Sequence, residues 1–429
     1  MGATLPSAGF ELLSEMVHLD MADANFSGQI PIGVARLSKL VHLSAGAGAG
    51  GPSSRLVLKE PSFETLVANL GNLRELRLRG VDISIGGRET WSVALARSTP
   101  DLQILSLSSC GLSGPIHGSF SRLRSLAEIS LPGNRIAGKV PEFFAGFSSL
   151  STLDLRDNDF EGQFPAEVFR LKNLKVLLVS GNSRLSGHLE SFPVENRLEM
   201  LDLKDTNFSD ALPASIVNLK SLRFLTLSTG GTSKHLHFIG KLPSLGTLML
   251  QGSSSGLGKA QFSWIGDLTH LTSLLIDNYN FSEPIPSWIG NLTELMSLRL
   301  SMCSLYGPIP YWIGNLTQLS SIDFTGNYLT GELHNKFYST IISSLSVLKY
   351  STTVSYKQFK AIPSSRVKVP CTYYIYILPP SQKKSTHLGS LKTSYALFFS
   401  RSRKRFVYLC IKVEKLFDTT HLNGALGGQ

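Results

Sequence analysis

Leucine and other apolar residues recur with a fixed long period through most of the chain. Residues 150–173 read LSTLDLRDNDFEGQFPAEVFRLKN, with apolar side chains at positions 1, 4, 6 and 11, and the same pattern begins again at Leu174 and at Leu198. The interval is 24 residues each time, with polar or turn-forming residues at fixed places between the apolar ones. Such a period predicts a repeat protein in which each interval is one structural unit.

The LxL segment of each period predicts a short β-strand. Successive side chains of a strand point to opposite faces, so Leu153 and Leu155 are expected to face the core, and Thr152, Asp154 and Arg156 to face solvent. An LxxLxLxxN core at this period is typical of a leucine-rich repeat. The expected fold is an α/β solenoid, a horseshoe or superhelix with a parallel β-sheet on its concave face.

The repeats divide the chain into three segments. Residues 1–15 form an N-terminal remnant without a recognisable cap, residues 16–338 form the solenoid, and residues 339–429 form a basic tail without repeats, which we predict to be disordered. From residue 102 onward the repeats are mostly 24 residues long. Before it, irregular insertions lie at 44–72 and 81–101.

Two short helices are predicted in and beside those insertions, FETLVANLGNL at 63–73 and WSVALARS at 91–98. A further irregular pair of repeats covers residues 222–270, where the runs GGTSKHLH and QGSSSGLGK interrupt the pattern. Loops of this kind often carry function on rigid scaffolds, but sequence drift is an equal explanation here.

The net charge of +10 is concentrated in the tail. Residues 340–429 contain 14 Lys and Arg and two acidic residues, a net charge of +12, so the rest of the chain carries −2. We therefore expect no nucleic-acid surface on the solenoid. The rival interpretation, a tail that binds nucleic acid or anionic lipid, rests on the single run RSRKR at 401–405. The sequence gives no sign of a secretory signal or of a membrane span.

Position 9 of each repeat is expected to hydrogen-bond the backbone of neighbouring turns. The residues at this position are Cys110, Asn134, Asn158, Asn182, Thr206, Gly230, Ser253, Tyr279, Cys303 and Asn327. Cysteine substitutes for asparagine there, so Cys110 and Cys303 are predicted to be structural thiols inside the solenoid. The remaining cysteines, Cys371 and Cys410, lie in the tail without metal-like spacing.

Five Asn-x-Ser/Thr sequons are candidate glycosylation sites, which would suit a secreted scaffold. They are Asn25, Asn207, Asn280, Asn291 and Asn315. Since NFS and GNLT also belong to the repeat pattern, the sequons would recur without any glycan. No catalytic or metal-binding motif occurs, so we expect no enzyme, no metal and no cofactor.

Binding is the remaining class of function, and solenoids bind on the concave face. Outward positions 3, 5, 7 and 8 supply the candidate ligand-binding residues: Arg156, Asp157, Asp202, Lys204, Asp205, Phe224, Thr226, Met249, Gln251, Leu275, Asp277 and Arg299. Among them Phe224, Met249 and Leu275 are apolar and are expected to be exposed, which indicates a docking site for a protein or peptide. Scattered surface hydrophobes are the alternative explanation.

The segments FSEPIPSWIGNLTELMSL (281–298) and LYGPIPYWIGNLTQLSSI (305–322) resemble the plant extracellular leucine-rich repeat. The N-terminal phrases LPSAGFELLSEMVHLDMADANFSGQIPIGVARL and EPSFETLVANLGNLRELRLRGVDIS are similar to cereal receptor-like proteins of the Verticillium-resistance type. The resemblance covers roughly residues 5–338.

The resemblance implies a receptor without a kinase, held at the plasma membrane, that recognises a protein or peptide ligand and signals through co-receptor kinases. Against that pattern the sequence lacks the signal peptide, the cysteine-containing caps, further repeats and the membrane span, which suggests a truncated fragment. The alternatives are a soluble inhibitor of a secreted cell-wall enzyme and a non-functional gene fragment.

Overall fold

The protein is described from a computed structural model. It describes residues 3–46, 55–84, 90–208, 211–229, 235–253 and 262–330, together with the backbone of four strands further along, Val347–Thr352, Tyr373–Ile377, Ser394–Ser402 and Arg405–Val413. These residues fall into two compact units, Met1–Ser228 and Thr229–Gln429.

The core of the first unit is a parallel sheet to which each repeat adds one strand. Its strands, in order, are His18–Met21, His42–Gly46, Glu75–Arg79, Ile104–Ser108, Glu128–Ser130, Thr152–Asp154, Val176–Leu178, Met200–Leu203 and Phe224–Ser228. Leu153 and its equivalents on the neighbouring strands are fully buried. The predicted leucine-rich repeat solenoid is thus confirmed for this unit.

Shorter strands form additional parallel sheets in the first unit. One contains Ala3–Thr4, Phe26–Gln29 and Leu56–Val57, and the other contains Ser113–Gly114, Arg135–Lys139, Asp159–Gln163, Arg184–Gly187 and Asn207–Phe208. Single turns of 3₁₀-helix connect the strands back to the next repeat, at Phe10–Leu12, Ile32–Arg36, Gly118–Arg122, Glu142–Gly146, Ala166–Arg170 and Ala214–Asn218.

The irregular repeats replace that 3₁₀ turn with α-helix. The first helix, Phe63–Val67, ends earlier than the 63–73 segment predicted for it, and its N-cap Ser62 accepts a hydrogen bond from the Thr65 N–H at 3.2 Å. The second, Trp91–Ser98, agrees with the prediction. The added residues leave the sheet undisturbed, because His42, Glu75 and Ile104 remain register partners.

The second unit repeats the same architecture. Its parallel sheet begins with Thr247–Gln251, Ser273–Asp277, Ser297–Ser301 and Ser321–Leu329, and Tyr306–Gly307 pairs with the last of these. Turns of 3₁₀-helix occur at Leu236–Lys241, Ser263–Asp267, Ser287–Asn291 and Tyr311–Asn315. Most of the two runs that interrupt repeats 222–270 lies outside the described residues.

Strands also occur within the segment 339–429. Val347–Thr352 pairs in parallel with Ser321–Leu329 and with Tyr373–Ile377, and Ser394–Ser402 is antiparallel to Arg405–Val413. The rest of the segment lies outside the described residues, as do Cys371, the side chain of Cys410 and part of the RSRKR run, so disorder of the tail stays a prediction. Among the residues described, no helix is long and apolar enough to cross a membrane.

The hydrogen-bond ladder predicted for position 9 is present where this position holds asparagine or cysteine, while Gly230 lies outside the described residues. The Asn158 amide nitrogen donates to the carbonyls of Leu131, Leu155 and Arg156 at 2.8, 3.1 and 3.0 Å, and its oxygen accepts from the Ile136 N–H at 3.0 Å. Asn134, Asn182 and Asn327 make equivalent bonds.

The two cysteines in this ladder are structural thiols, as predicted. Cys110 Sγ lies 3.0 Å from the Leu78 carbonyl oxygen and Cys303 Sγ lies 3.3 Å from that of Ile276. Both residues are fully buried. The ladder thus joins consecutive repeats through their backbones, with a thiol in place of an amide at two positions.

Candidate functional site

The candidate site is the open face of the sheet, by which we mean the face that carries repeat positions 3, 5 and 7 and points away from the leucine core. Parallel pairing without a register shift aligns these positions in columns that cross the strands. In the first unit one such column runs through Glu128, Thr152, Val176, Met200 and Phe224. Neighbouring strands lie about 4.8 Å apart, so side chains in a column are in reach of one another.

Three apolar side chains follow one another in that column. Val176, Met200 and Phe224 are register partners and are half-buried, and we call them the apolar row. At the neighbouring position 5, Leu178 is buried. Of the apolar row only Phe224 belongs to the predicted site. Val176 and Met200 were missed, although reading position 3 from repeat to repeat would have found them.

The predicted residues Asp202 and Thr226 lie beside the apolar row but are buried, with 8% and 2% of their surface exposed. Asp202 accepts hydrogen bonds from the Ser180 hydroxyl at 2.7 Å, from the Lys204 N–H at 3.2 Å and from the Thr226 hydroxyl. The expectation that both residues are solvent-exposed was wrong, because the two neighbouring repeats bring the Ser180 and Thr226 hydroxyls onto this carboxylate. Asp202 and Thr226 therefore support the face rather than project from it.

The expected exposure of Asp154 was wrong for a similar reason. Arg156 donates to it from Nε at 2.9 Å and from Nη2 at 2.8 Å, and only 6% of the Asp154 surface remains exposed. The hydrogen bond to Asp154 raises the pKa of the Arg156 guanidinium, and the charges of Asp154, Asp202 and Asp157 act in the same direction. Arg156 is half-buried and stays cationic, in a bidentate geometry that fixes its orientation.

The ends of these strands carry further predicted charges. Asp157 and Asp205 are exposed and adopt a left-handed backbone conformation, with φ of 52° and 53°. The Asp157 N–H donates to the Ser180 carbonyl at 2.9 Å, and the Asp205 N–H donates to the Ser228 hydroxyl at 2.7 Å. Lys204 Nζ lies 3.8 Å from Asp205 Oδ2. These bonds fix the backbone from which the two carboxylates project at the rim of the open face.

The other predicted residues lie on the open face of the second unit. Met249, Leu275 and Arg299 are register partners, and the first two are half-buried. Arg299 Nε lies 2.9 Å from Asp277 Oδ1, and the Ser301 hydroxyl donates to the same oxygen.

Gln251 is the register partner of Asp277, and its Oε1 is buried with no hydrogen-bond partner in the described part of the chain. Phe224 belongs to the first unit and Met249 and Leu275 to the second, so the three predicted apolar residues divide between the two units.

A charged cluster that sequence reasoning overlooked occupies the first strands of the open face. The rings of His18 and His42 stack with centroids 4.7 Å apart, and His42 Nδ1 lies 3.0 Å from Glu75 Oε2. Arg77, on the same strand as Glu75, contacts Glu128 two strands further along, through Nη1 at 3.0 Å and Nη2 at 3.4 Å. The two histidines are 24 residues apart in the sequence, a signal that the repeat period could have supplied.

Asp20 belongs to the same cluster. A hydrogen bond from the Ala22 N–H, with a smaller contribution from Ser44, lowers the pKa of the Asp20 carboxyl. The described residues contain no group of three or more His, Cys, Asp and Glu placed to hold a metal ion. We therefore describe this cluster as a charged patch on the open face.

All five sequon asparagines are exposed. Asn25, Asn207 and Asn280 lie at repeat position 10, and Asn291 and Asn315 end the 3₁₀ turns Ser287–Asn291 and Tyr311–Asn315. None of the five belongs to positions 3, 5 or 7 of a repeat, so glycans attached to them would start outside the open face. Part of the Asn207 sequon lies outside the described residues.

Comparison with known proteins agrees with this architecture. Residues 100–160 match the leucine rich repeat family. Among solved structures, the ectodomain of the Arabidopsis thaliana receptor kinase GASSHO1/SCHENGEN3, in complex with CASPARIAN STRIP INTEGRITY FACTOR 2, is similar with a TM-score of 0.54 and 22% identity over 81% of this chain and 40% of that chain. The functional domain of InlJ from Listeria monocytogenes also gives 0.54, at 15% identity, over 81% and 70% of the two chains. Similarity at these identities establishes the fold alone.

The proteins that match in sequence point to a narrower group than the solved structures do. Receptor-like protein 6 of Arabidopsis thaliana is 31% identical over 167 residues, which is 38% of this chain and 16% of that protein. Receptor-like protein 15 of the same species is 32% identical over 102 residues, 21% of this chain and 11% of that protein. The chain thus spans less than a fifth of the length of these relatives. Its fold is a leucine-rich repeat solenoid, and its sequence is similar to plant receptor-like proteins.

Proposed function

We propose that the chain is a non-enzymatic recognition module that binds a protein or peptide on the open face of its sheets. The observation that carries this proposal is the presence of half-buried apolar side chains in register on both units, Val176, Met200 and Phe224 on the first and Met249 and Leu275 on the second. Apolar side chains left partly exposed among polar neighbours are typical of binding surfaces.

The polar neighbours support this assignment. Asp202 already accepts three hydrogen bonds, Arg156 is paired with Asp154, and Asp277 is bonded to Arg299 and Ser301. Polar groups that are satisfied within the protein require little rearrangement when a ligand displaces water from the apolar side chains, so the face is preorganised for docking.

The similarity to receptor-like proteins extends the proposal to the biological setting. We place the module at the extracellular face of the plasma membrane in plant defence or signalling, where it passes the signal of a bound ligand to a co-receptor kinase. The cereal, Verticillium-resistance type suggested by the N-terminal phrases belongs to the same proposal. The membrane anchor would be supplied by sequence other than the residues described.

Glycosylation at Asn25, Asn207, Asn280, Asn291 and Asn315 is part of this setting. Their exposure fits modification. Asn218, which occupies the same repeat position as Asn291 and Asn315 without a sequon, donates from its side chain to the Phe192 carbonyl at 2.8 Å. This repeat position thus also has a structural use, independent of any glycan. Peptide mass mapping of the secreted protein before and after deglycosylation would determine which sequons are occupied.

The binding proposal is tested by selecting peptides from a displayed random library on the full chain and measuring their affinity by calorimetry. Met249→Asp in the second unit and Met200→Asp in the first put a charge on the open face, and we expect at least one of them to lower the affinity of each selected peptide tenfold or more. Val194→Asp is the matched control, because Val194 is 68% exposed and lies outside the sheet. Equal affinity of all three variants and the parent would refute binding on the open face.

A further inference from the structure

The open face of the first unit has a polarity that defines the chemistry of its ligand. We propose that the apolar row, Val176, Met200 and Phe224, binds a peptide segment that carries an acidic residue beside its apolar anchor and a basic residue farther along, at the opposite edge of the face. This inference rests on the proposed function and makes it specific.

The edge where the strands begin is basic. Repeat position 2, next to the apolar row, is occupied by Lys175, Glu199 and Arg223. Lys175 Nζ lies 3.2 Å from Glu199 Oε1, so that pair is neutral as a unit. Arg223 is exposed and makes no ion pair with any described residue. One exposed guanidinium, in the residue that precedes Phe224, is therefore left at this edge to meet an anionic group.

The edge where the strands end is acidic. From Asp154 to Asp205 it carries four carboxylates, at Asp154, Asp157, Asp202 and Asp205, and two cations, at Arg156 and Lys204. Asp154 is neutralised by Arg156 and Asp202 is enclosed by hydroxyls. Asp157 and Asp205 are the exposed carboxylates of this rim, and Asp205 has Lys204 Nζ 3.8 Å away. Because a cation at this edge would meet a net negative charge, the basic part of a ligand is favoured there.

The distances set the spacing of the ligand. From position 3 to position 8 the chain advances five residues, so the two positions are at most about 17 Å apart, and less because Asp157 and Asp205 lie past the strand ends with positive φ. An extended peptide that runs along the strand direction covers this distance in about five residues. A segment with an acidic residue next to an apolar one, and a basic residue no more than about five positions away, would match the apolar row and both charged edges at once.

Polar side chains lie between the two edges and tolerate the passage of a backbone. Ser180 and Thr226 donate hydrogen bonds to Asp202, and Thr226 and Asp202 are buried. The side chains in the middle of the face therefore project little from the sheet, and their hydrogen-bonding groups are satisfied within the protein. An apolar ligand side chain would gain little there and would instead seat on the apolar row. Burial of the exposed part of Met200 and Phe224 is the main source of affinity in this arrangement, and the charges set orientation and specificity.

The experiment is a selection from a phage-displayed random dodecapeptide library on the full chain, repeated on Arg223→Glu. We expect peptides selected on the parent to be enriched for Asp or Glu beside an aromatic or aliphatic residue, and peptides selected on Arg223→Glu to carry Lys or Arg at that place. Arg122→Glu is the matched control, since Arg122 is exposed on the 3₁₀ turn Gly118–Arg122 and should leave the selection unchanged. Circular dichroism of each variant establishes that it is folded.

The possible results separate the two proposals. Enriched peptides that keep the same charge on Arg223→Glu, or that bind Met200→Ala and Phe224→Ala as tightly as the parent, would overturn the assignment of the apolar row while leaving peptide recognition elsewhere on the open face intact. A reversal of the selected charge together with a tenfold or greater loss on Met200→Ala would establish it. Failure to enrich any peptide on the parent would overturn both the inference and the proposed function.

Discussion

Replacing Asn158 with alanine tests how far the asparagine ladder holds the repeats together. Asn158 is 6% exposed and makes four hydrogen bonds, three as donor to the Leu131, Leu155 and Arg156 carbonyls and one as acceptor from the Ile136 N–H. The substitution removes all four and takes an acceptor away from a backbone N–H in the interior. Two of these bonds, to the Leu131 carbonyl and from the Ile136 N–H, cross to the preceding repeat, so part of the loss falls on the junction between repeats.

The three carbonyl oxygens that lose Asn158 as a donor each keep another hydrogen bond. Leu131 still accepts from Asn134 at 2.9 Å, Leu155 from Asn182 at 3.0 Å, and Arg156 from the Gly133 N–H at 3.0 Å. The main cost is therefore the stranded Ile136 donor, roughly 1–3 kcal/mol, and the total with the weakened carbonyls is about 3 kcal/mol. Since about 1.4 kcal/mol is a factor of ten, local exchange of amide hydrogens should accelerate about 100-fold.

Hydrogen exchange measured by mass spectrometry on the full chain resolves this effect by position. We expect the acceleration in peptides that cover residues 131–136 and 155–160 and little change in the second unit. Asp159→Ala is the control, since the neighbouring Asp159 is exposed and its loss should change stability by no more than about 0.5 kcal/mol.

A second substitution separates hydrogen bonding from packing. Asn158→Asp preserves the acceptor for Ile136 but turns a carboxylate toward three carbonyl oxygens, so it should destabilise at least as much as Asn158→Ala at neutral pH. Exchange in Asn158→Ala within threefold of the Asp159→Ala control would show that the ladder does not carry this energy.

Two further predictions follow from burial and backbone geometry. Gly181→Ala should lower the free energy of unfolding, measured in urea, by about 1–3 kcal/mol. The reason is that Gly181 has φ +74° and an added Cβ would lie 3.1 Å from the Asp157 backbone nitrogen. Gly118→Ala is the control, because an added Cβ there would have no atom within 4 Å. For the cysteines, burial raises the pKa of Cys110 and of Cys303 from 9.0 to about 12, so both should resist iodoacetamide at pH 8 until the protein is unfolded. Because these thiols ionise more readily in the unfolded chain, their contribution to stability is complete below about pH 9 and is lost as the pH rises through about 12, and a urea midpoint that did not fall in that range would contradict it.

The sequence predicts the core of this fold well, because the core depends on the period alone. Leu153 and Leu155 are inside for the same reason in every repeat, and Asn158 is satisfied by groups that the same period supplies. The helix Trp91–Ser98 could also be recognised locally. The early end of the helix at Val67 could not, since a short helix ends where its repeat returns to the sheet.

The open face is harder to predict, since exposure there depends on the neighbours across the strands. Within its own repeat, Asp202 has the pattern of a surface carboxylate, and it is enclosed only because the adjacent repeats supply Ser180 and Thr226. In the same way, Val176 and Met200 gain significance only when they are aligned with Phe224. A sequence read one repeat at a time reports the identity of each side chain but not its partners in the column.

This difference between columns determines how substitutions on the open face should be interpreted. Position 3 carries the apolar row, which a ligand can touch, whereas position 5 beside it carries Asp202 and Thr226, which are buried and bonded to each other. Thr226→Val would remove one donor to a buried carboxylate without altering the exposed surface, so any effect on binding must pass through the position of Phe224 and Met200. A loss of ligand affinity in Thr226→Val would therefore reflect a change in the buried residues that support the open face. Only substitutions in the apolar row and at Arg223 report direct contact with the ligand.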